Sequence, residues 1–383
     1  MKLSKRAYSL KGQRMFQILA HAKELEKKGK SIIHLELGDP DFETPLNIIN
    51  AAKIAMDSGA THYSPSQGRW ELLHSAQEVT RRSRGFRPKI NQMLVTAGAN
   101  VAIYYALACI CNPGDEVIVG DPGFASYFSI LKYLDVTIKT IPLVMDNDFK
   151  PMPADIKKKI TRKTKAIIIN SPSNPCGSVL NAKESFEIFC LAEKYDLAIV
   201  SDEIYARMVY DDSFSSLAWD RCNDRVVIIN GFSKSYAMTG WRLGVTTGPP
   251  NLIKRMQLLL ETTSSCVNTF VQLAGVEALL GDQGKSFKML EAYRARRDIL
   301  VDGLNQLAGV GCVLPKGAFY AFPSIRQTGL TSEEYAAKAL EQGVALVPGT
   351  AFGKNGEGFV RLCFANSEGN IKTALKRLRG IKK

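Results

Sequence analysis

The sequence GFSKSYAMTGWRLG, residues 231–244, places one lysine among small residues directly after an apolar stretch. Lys234 can condense with an aldehyde and form a Schiff base. Arg242 follows eight positions later, and its planar guanidinium is suited to binding a phosphate group. These two residues could hold a phosphorylated aldehyde, although a lysine beside such a turn is by itself more often a surface residue.

The same run resembles the cofactor-lysine signature of the class I/II aminotransferases, which are fold-type I enzymes similar to aspartate aminotransferase. The resemblance implies that Lys234 binds pyridoxal 5'-phosphate and that Arg242 contacts its phosphate. Many family members carry serine three residues before the lysine, where its hydroxyl contacts the phosphate. This chain has Gly231 at that position, which leaves Ser233 and Ser235 as candidate replacements.

A carboxylate for the pyridine nitrogen is expected at the end of a predicted strand. The apolar run at residues 197–200 indicates a buried strand, and Asp202 would project from its carboxyl end. An ionised Asp202 would keep the pyridine nitrogen protonated, so that the ring draws electrons from the substrate α-carbon. Asp202 and Lys234 are therefore the predicted catalytic residues.

A second apolar run, residues 166–169, leads into a loop punctuated by proline and glycine, with Asn174 at its tip. The resemblance assigns Asn174 to the ring hydroxyl of the cofactor. It assigns Tyr205, three residues past Asp202, as the second donor to that hydroxyl.

A phosphate cradle is expected where a helix begins. Residues 93–96 indicate a strand that is followed by a tight turn and a helix. Small residues at a helix N-terminus expose backbone amides to an anion, so Gly98, Ala99 and Asn100 are the predicted cradle. The resemblance adds Phe124, which follows the next strand, as the residue that stacks on the pyridine ring.

The substrate site is predicted from an arginine inside an apolar run. Arg361 lies in the strand-like residues 359–364, and a buried guanidinium needs a partner such as a carboxylate. The resemblance implies that Arg361 binds the α-carboxylate of the substrate, together with Asn174 and the backbone at Gly38. It also matches Tyr63 to a tyrosine that reaches the phosphate of the neighbouring subunit, which implies a homodimer with shared active sites.

The order of apolar runs predicts an α/β fold. Short strands alternate with helical stretches from about residue 41 to 248, which is typical of a mainly parallel sheet flanked by helices. The resemblance implies a sheet of the seven-stranded type with a smaller α+β domain. We expect an N-terminal arm over residues 1–40, a large cofactor-binding domain over 41–290 and a small domain over 291–383.

Composition narrows the possible functions. The 383 residues carry a net charge of +13, yet the basic clusters show none of the nucleic-acid-binding motifs, so no nucleic-acid partner is expected. Neither the eight cysteines nor the four histidines show ligand spacing, and no metal site is predicted. The chain lacks an apolar run of membrane-helix length and a signal peptide, so we expect a cytoplasmic protein without a membrane partner.

The predicted reaction is ping-pong transfer of an amino group from an L-α-amino acid to a 2-oxo acid. Elimination, replacement, cyclisation or oxidative deamination with the same cofactor remain alternatives, because the fold does not decide between them. A ligand-sensing protein without catalytic activity is a further alternative. The side-chain specificity stays open, and the basic residues Lys11, Arg14 and Arg69 are candidates to meet an acidic substrate side chain.

Overall fold

The structure is a computed structural model, and it describes residues 1–10, 12–211, 213–218 and 224–383. Lys11, one of the candidate specificity residues, lies outside these residues. Among the described residues, no helix combines the length and the apolar character needed to cross a membrane.

Helices account for much of the described chain. They are α1 (Lys5–Ser9), α2 (Arg14–Lys27), α3 (Leu46–Asp57), α4 (Trp70–Arg84), α5 (Ala99–Ile110), α6 (Ala125–Tyr133), α7 (Pro153–Lys159), α8 (Ala182–Lys194), α9 (Pro250–Ser264), α10 (Thr269–Leu280), α11 (Gly284–Asn305), α12 (Ser332–Glu341) and α13 (Glu368–Leu378).

The strands form one large sheet and two small ones within the described residues. They are β1 (Ile33–His34), β2 (Met93–Thr96), β3 (Glu116–Asp121), β4 (Thr137–Pro142), β5 (Thr164–Asn170), β6 (Ala198–Asp202), β7 (Val226–Gly231), β8 (Gly244–Thr247), β9 (Tyr320–Ala321), β10 (Val344–Ala345), β11 (Val347–Pro348) and β12 (Val360–Cys363). The large sheet has the order β2-β8-β7-β6-β5-β3-β4, and β8 alone runs against its neighbours. The predicted α/β class with a mainly parallel seven-stranded sheet is confirmed.

Both faces of the large sheet are buried, because side chains alternate along each strand. In β5, Ala166 and Ile168 join the core on one face, whereas Ile167 and Ile169 join the core on the other. The parallel register aligns Asn170 with Asp202, so the polar ends of β5 and β6 meet at one edge. This edge holds the candidate site.

The C-terminal part of the chain builds a second core. The small sheets β1-β10 and β11-β12-β9 pack with α11, α12 and α13 around buried aromatic and aliphatic side chains. β1 comes from the N-terminal arm and pairs with β10, so the arm is part of this layer. The domain division at residues 290 and 291 stays a prediction, and that position falls inside α11.

Candidate active site

One cavity of about 350 Å³ lies at the carboxyl edge of the large sheet. Most of the site residues that the sequence predicted line it. They are Gly38, Ala99, Asn100, Phe124, Asn174, Asp202, Tyr205, Ser233, Lys234, Arg242 and Arg361. These residues come from distant parts of the sequence, and the sheet order brings them together.

Lys234 lies in the turn that follows β7, and its Nζ donates a hydrogen bond of 2.6 Å to the carbonyl oxygen of Gly38. Burial of the amine lowers the pKa of Lys234 to about 8, although the nearby Asp39 carboxylate acts to raise it. A lysine with a depressed pKa has a larger neutral fraction at neutral pH, and only the neutral amine attacks an aldehyde.

Asp202 is the last residue of β6 and is buried. Its Oδ2 accepts a hydrogen bond of 2.5 Å from the Tyr127 hydroxyl, and its Oδ1 accepts one of 3.2 Å from the backbone amide of Ile204. Burial raises the pKa of Asp202 to about 6, while these two hydrogen bonds act to lower it. Tyr127 thus favours the ionised carboxylate.

Arg361 in β12 is fully buried and reaches across to the loop after β5. Its Nη1 donates to Asn174 Oδ1 at 3.0 Å, and its Nη2 donates to the carbonyl oxygen of Glu36 at 2.5 Å. The guanidinium lies 4.5 Å from the centroid of the Tyr320 ring. Within the described part of the chain its Nε has no hydrogen-bond partner, which leaves one buried donor for an anionic ligand.

Tyr320 also connects two other predicted residues. Its hydroxyl lies 2.8 Å from the Tyr205 hydroxyl. A Cβ added at Gly38 would lie 1.9 Å from the Tyr320 hydroxyl oxygen, so this position accommodates only glycine without a rearrangement. Tyr320 therefore accounts for a glycine at this position, and the predicted contact of the Gly38 backbone with the substrate carboxylate stays a prediction.

The predicted phosphate cradle begins α5. Gly98 has φ +89° and precedes the helix without a side-chain cap, so the first amides of α5 keep no cap acceptor. A Cβ at Gly98 would lie 2.5 Å from Arg242 Nη2. Arg242 itself donates to the Thr239 carbonyl oxygen at 2.7 Å. Free amides beside a guanidinium form an anion site.

The charged and polar groups of this cavity fit pyridoxal 5'-phosphate. The anion site matches its phosphate, the buried carboxylate of Asp202 matches its pyridinium nitrogen, and Lys234 matches its aldehyde. Ser233 lines this cavity, whereas Ser235 lines a separate cavity behind it. Of the two candidates to replace the serine absent at position 231, Ser233 is therefore the one that faces the site.

Two predicted site residues do not line the cavity, namely Gly98, which lies beside Arg242, and Tyr63, which is an exposed residue. The Tyr63 side chain is 87% exposed. This placement leaves the predicted contact across a subunit interface as a prediction.

Two of the candidate specificity residues are occupied elsewhere. Arg14 Nη2 pairs with Glu333 Oε2 at 2.7 Å, and Arg69 Nη2 pairs with Glu71 Oε1 at 2.5 Å. Neither arginine lines the cavity. The sequence suggested that they could meet an acidic substrate side chain, and within this chain their charges are instead used in these ion pairs.

The structure also shows residues that the sequence reasoning missed. These are Gln13, Met15, Phe16, Leu37, Asp39, Tyr127, Asn170, Ile204, Thr239 and Tyr320. A signal existed for two of them, because Asn170 ends an apolar run and Tyr127 lies one helical turn after Phe124. No local pattern marked the N-terminal residues, which reach the cavity only through tertiary packing.

Comparison with known proteins decides the family. A family model described as aminotransferase class I and II matches residues 30–378. The chain belongs to the class I and II aminotransferases. It is therefore a pyridoxal-phosphate-dependent transferase, and its substrates are an amino acid and a 2-oxo acid.

Similar aminotransferases cover nearly the whole chain. An aspartate aminotransferase of Pyrococcus horikoshii is 37% identical over 98% of this chain and 96% of its own. An aromatic-amino-acid aminotransferase of Thermococcus litoralis is 37% identical over 92% of each chain. The structure of Thermus thermophilus aspartate aminotransferase with maleate has a TM-score of 0.94 at 35% identity and covers 98% of each chain. These matches support transamination over the other reactions of the same cofactor.

Proposed function

We propose that Lys234 is the catalytic base of this aminotransferase and that Arg361 binds the α-carboxylate of its substrate. The observation that carries this proposal is their connection through one short segment, since Gly38 accepts from Lys234 and Glu36 accepts from Arg361. A carboxylate held at Arg361 therefore places the α-carbon near Lys234, which takes the α-proton and returns it in the reverse half-reaction.

The remaining residues bind and tune the cofactor in this proposal. Pyridoxal phosphate, when bound, supplies an electron sink for the charge that develops at the α-carbon. Asp202 would hold the pyridinium nitrogen, and Phe124 would contact the ring. Asn174 and Tyr205 would bind the ring hydroxyl. The phosphate would be bound by Gly98, Ala99, Asn100, Ser233 and Arg242, with Tyr63 from a second subunit.

We also propose that the preferred amino donor has an apolar or aromatic side chain. Among the described residues that line the cavity, the cations are Lys234, Arg242 and Arg361, and each has a role above. The walls further from the sheet include Met15, Phe16 and Leu37, and the carboxylate of Asp39 would repel an acidic side chain. The similar aminotransferases include both an aspartate and an aromatic-amino-acid enzyme. The proposed substrate preference is therefore based on the residues that line the cavity.

A donor panel tests this specificity. We expect kcat/KM with phenylalanine or leucine to exceed that with aspartate by about tenfold or more. The apolar side chain would be buried against the cavity wall, whereas the aspartate side chain would leave its charge unpaired there. Each half-reaction without an oxo-acid acceptor should release one 2-oxo acid per active site. A preference for aspartate would contradict the proposed specificity, and continued product formation without an acceptor would contradict transamination.

We further propose that the active unit is a homodimer. Apolar side chains on and after α3 are strongly exposed in the single chain, with Leu46 at 66%, Ile54 at 68%, Tyr63 at 87% and Trp70 at 64%. Exposed apolar groups of this size support an interface, and Tyr63 lies among them. A second copy packed there would bring its own Tyr63 toward this chain.

A cytoplasmic location is also proposed. It is supported by the seven described cysteines, which are all free thiols, as is usual in reducing compartments. Cell fractionation with an antibody against the chain tests it, and recovery outside the cytoplasm would contradict it.

A further inference from the structure

The segment 35–39 contacts two of the cations that the proposed function uses, Arg361 and Lys234. The carbonyl oxygen of Glu36 accepts from Arg361, and that of Gly38 accepts from Lys234 Nζ at 2.6 Å. Any shift of this segment would therefore change the position of the guanidinium or of the amine.

The backbone at one end of this segment is fixed by the small sheets. The amide of Leu35 donates to the Ala345 carbonyl oxygen at 2.9 Å, and the Leu35 carbonyl oxygen accepts from the Cys363 amide at 2.8 Å. Beyond Leu35, the chain has left the β1-β10 ladder, and the side chain of Glu36 is the next anchor.

Glu36 is fully buried, and its anchor is a histidine. Its Oε1 lies 2.8 Å from His34 Nδ1, while its Oε2 has no partner among the residues that the structure describes. The other ring nitrogen, His34 Nε2, lies 3.2 Å from Glu26 Oε1 in α2. Ionised carboxylates only accept hydrogen bonds, so both contacts form together only when both ring nitrogens carry protons. The arrangement is thus built for an imidazolium.

The charges around His34 favour the same state. Burial acts to lower the pKa of His34, but hydrogen bonds and charges from Glu36 and Glu26 raise it above its ordinary value. From α13, Arg377 donates to two carbonyl oxygens near His34. They belong to Ser31, two residues before β1, and to Gly343, directly before β10. The paired strand β10 consists of valine and alanine and brings no titratable group.

We infer that His34 and Glu36 are positioning residues, in which an imidazolium between two carboxylates holds the segment 35–39 against Arg361 and thereby supports binding of the substrate carboxylate. When the His34 imidazolium loses a proton, one ring N–H remains for the carboxylates of Glu36 and Glu26. Either Glu36 then loses its single partner inside the protein, or the link to α2 is lost. The site for the substrate carboxylate is weakened first, because Glu36 itself accepts from Arg361, whereas Asp202 in β6 keeps its own contacts.

The expected consequence is a rise of KM with pH that is larger than any change in kcat, because Glu36 contacts Arg361 directly and Gly38 lies two residues further along the segment. Below the pKa of His34 the segment is fully held. As the pH rises through that pKa, KM for the amino donor should increase about threefold to tenfold. This change corresponds to the free energy that one ordinary hydrogen bond contributes. His34→Gln, which does not titrate, should show the high KM at all pH values and lack this step.

The experiment combines NMR titration and steady-state kinetics on the cofactor-loaded enzyme. The chain has four histidines, so loss of one ring signal in His34→Gln identifies His34. We expect that signal to titrate above about 6.5, the usual value for histidine. His21→Gln is the matched control, because His21 is an exposed residue on α2 and should keep the native KM profile.

A second variant changes the contact between His34 and Glu26 and leaves the buried Glu36 in place. Glu26 is partly exposed on α2, so Glu26→Gln should fold normally. It removes one carboxylate from His34, lowers the pKa of His34 and moves the KM step to lower pH. A native-like KM profile in His34→Gln, or a His34 signal that titrates at or below about 6.5, would overturn the inference.

The inference rests on the proposed function, because it assumes that Arg361 binds the substrate carboxylate. Arg361→Lys separates the two cases. If Arg361→Lys leaves KM unchanged, the proposed role of Arg361 fails and the inference fails with it. If Arg361→Lys raises KM but the His34 variants do not, only the inference fails.

Discussion

At the scale of single residues, burial moves the two central titratable groups toward each other in pKa. The pKa of Lys234 falls to about 8 and that of Asp202 rises to about 6, in each case because burial disfavours the charged form. Between these values Asp202 is mostly ionised, and a part of Lys234 is neutral. The site can therefore hold a pyridinium nitrogen and offer a free amine over the same pH range.

Tyr127 sets the acid side of this range. Its hydrogen bond lowers the pKa of Asp202, so Tyr127→Phe should raise it. Asp202 works as the ionised form, which is lost as the pH falls through its pKa. We expect the acid limb of kcat/KM to move up by about one pH unit, the equivalent of one hydrogen bond to a charged group. The pH profile of the cofactor-loaded variant measures the shift.

A matched control for this change is Tyr133→Phe at the end of the same helix. Tyr133 does not line the cavity, and its replacement should leave the acid limb unchanged. An acid limb that stays in place in Tyr127→Phe as well would show that Tyr127 does not tune Asp202.

At the scale of elements, an ion pair joins α4 to the end of β6. Glu203 directly follows Asp202 and is buried. Its Oε2 accepts from Arg84 Nη2 at 2.6 Å, and its Oε1 accepts from Ser201 and Ser216 at 3.0 and 2.6 Å. The charge of Glu203 contributes to the raised pKa of Asp202. The pair therefore fixes the strand end on which Asp202 depends.

Removal of the arginine from this pair should cost stability. Arg84→Met leaves the Glu203 carboxylate buried without its cation, and we expect the free energy of unfolding to fall by about 3–5 kcal/mol. Arg81→Met on the same helix removes an exposed pair with Glu78 and should change it by less than about 1 kcal/mol. Denaturant unfolding of both variants gives the comparison, and equal losses would contradict the proposed importance of the buried pair.

At the scale of the whole molecule, the active site of the single chain lacks Tyr63. The proposed dimer supplies it from the other subunit, and this can be tested with two inactive variants. Lys234→Ala removes the catalytic amine, and Tyr63→Ala removes the interface tyrosine. A mixed dimer of the two would contain one site with both native residues.

Random mixing of these variants should restore about a quarter of the native activity per site, because half of the dimers are mixed and one of their two sites is complete. Light scattering should give twice the mass of the 42.2 kDa chain. Tyr63→Ala alone should bind the cofactor phosphate more weakly. No recovery on mixing would show that Tyr63 does not act across the interface.

The features that depend on neighbours along the chain could be predicted before the fold was known. The alternation of apolar runs and turns predicted the parallel sheet, and Asp202, Asn174 and Lys234 lie in polar turns or loops that follow apolar runs, where the family resemblance assigned their roles. The helix start at Gly98 was likewise visible as a run of small residues. Such signals are local, so they can be recognised in the sequence without knowledge of the fold.

Contacts between residues that are distant in sequence became visible in the folded chain. Arg361 contacts Asn174 across 187 positions, and Arg14 pairs with Glu333 across 319 positions. The enclosure of Glu36 beside His34 likewise depends on β1 joining β10. Strand order and packing between layers set these contacts, and they leave no periodic trace in the sequence. The physical reason is that burial and ion pairing are properties of the assembled core rather than of any one segment.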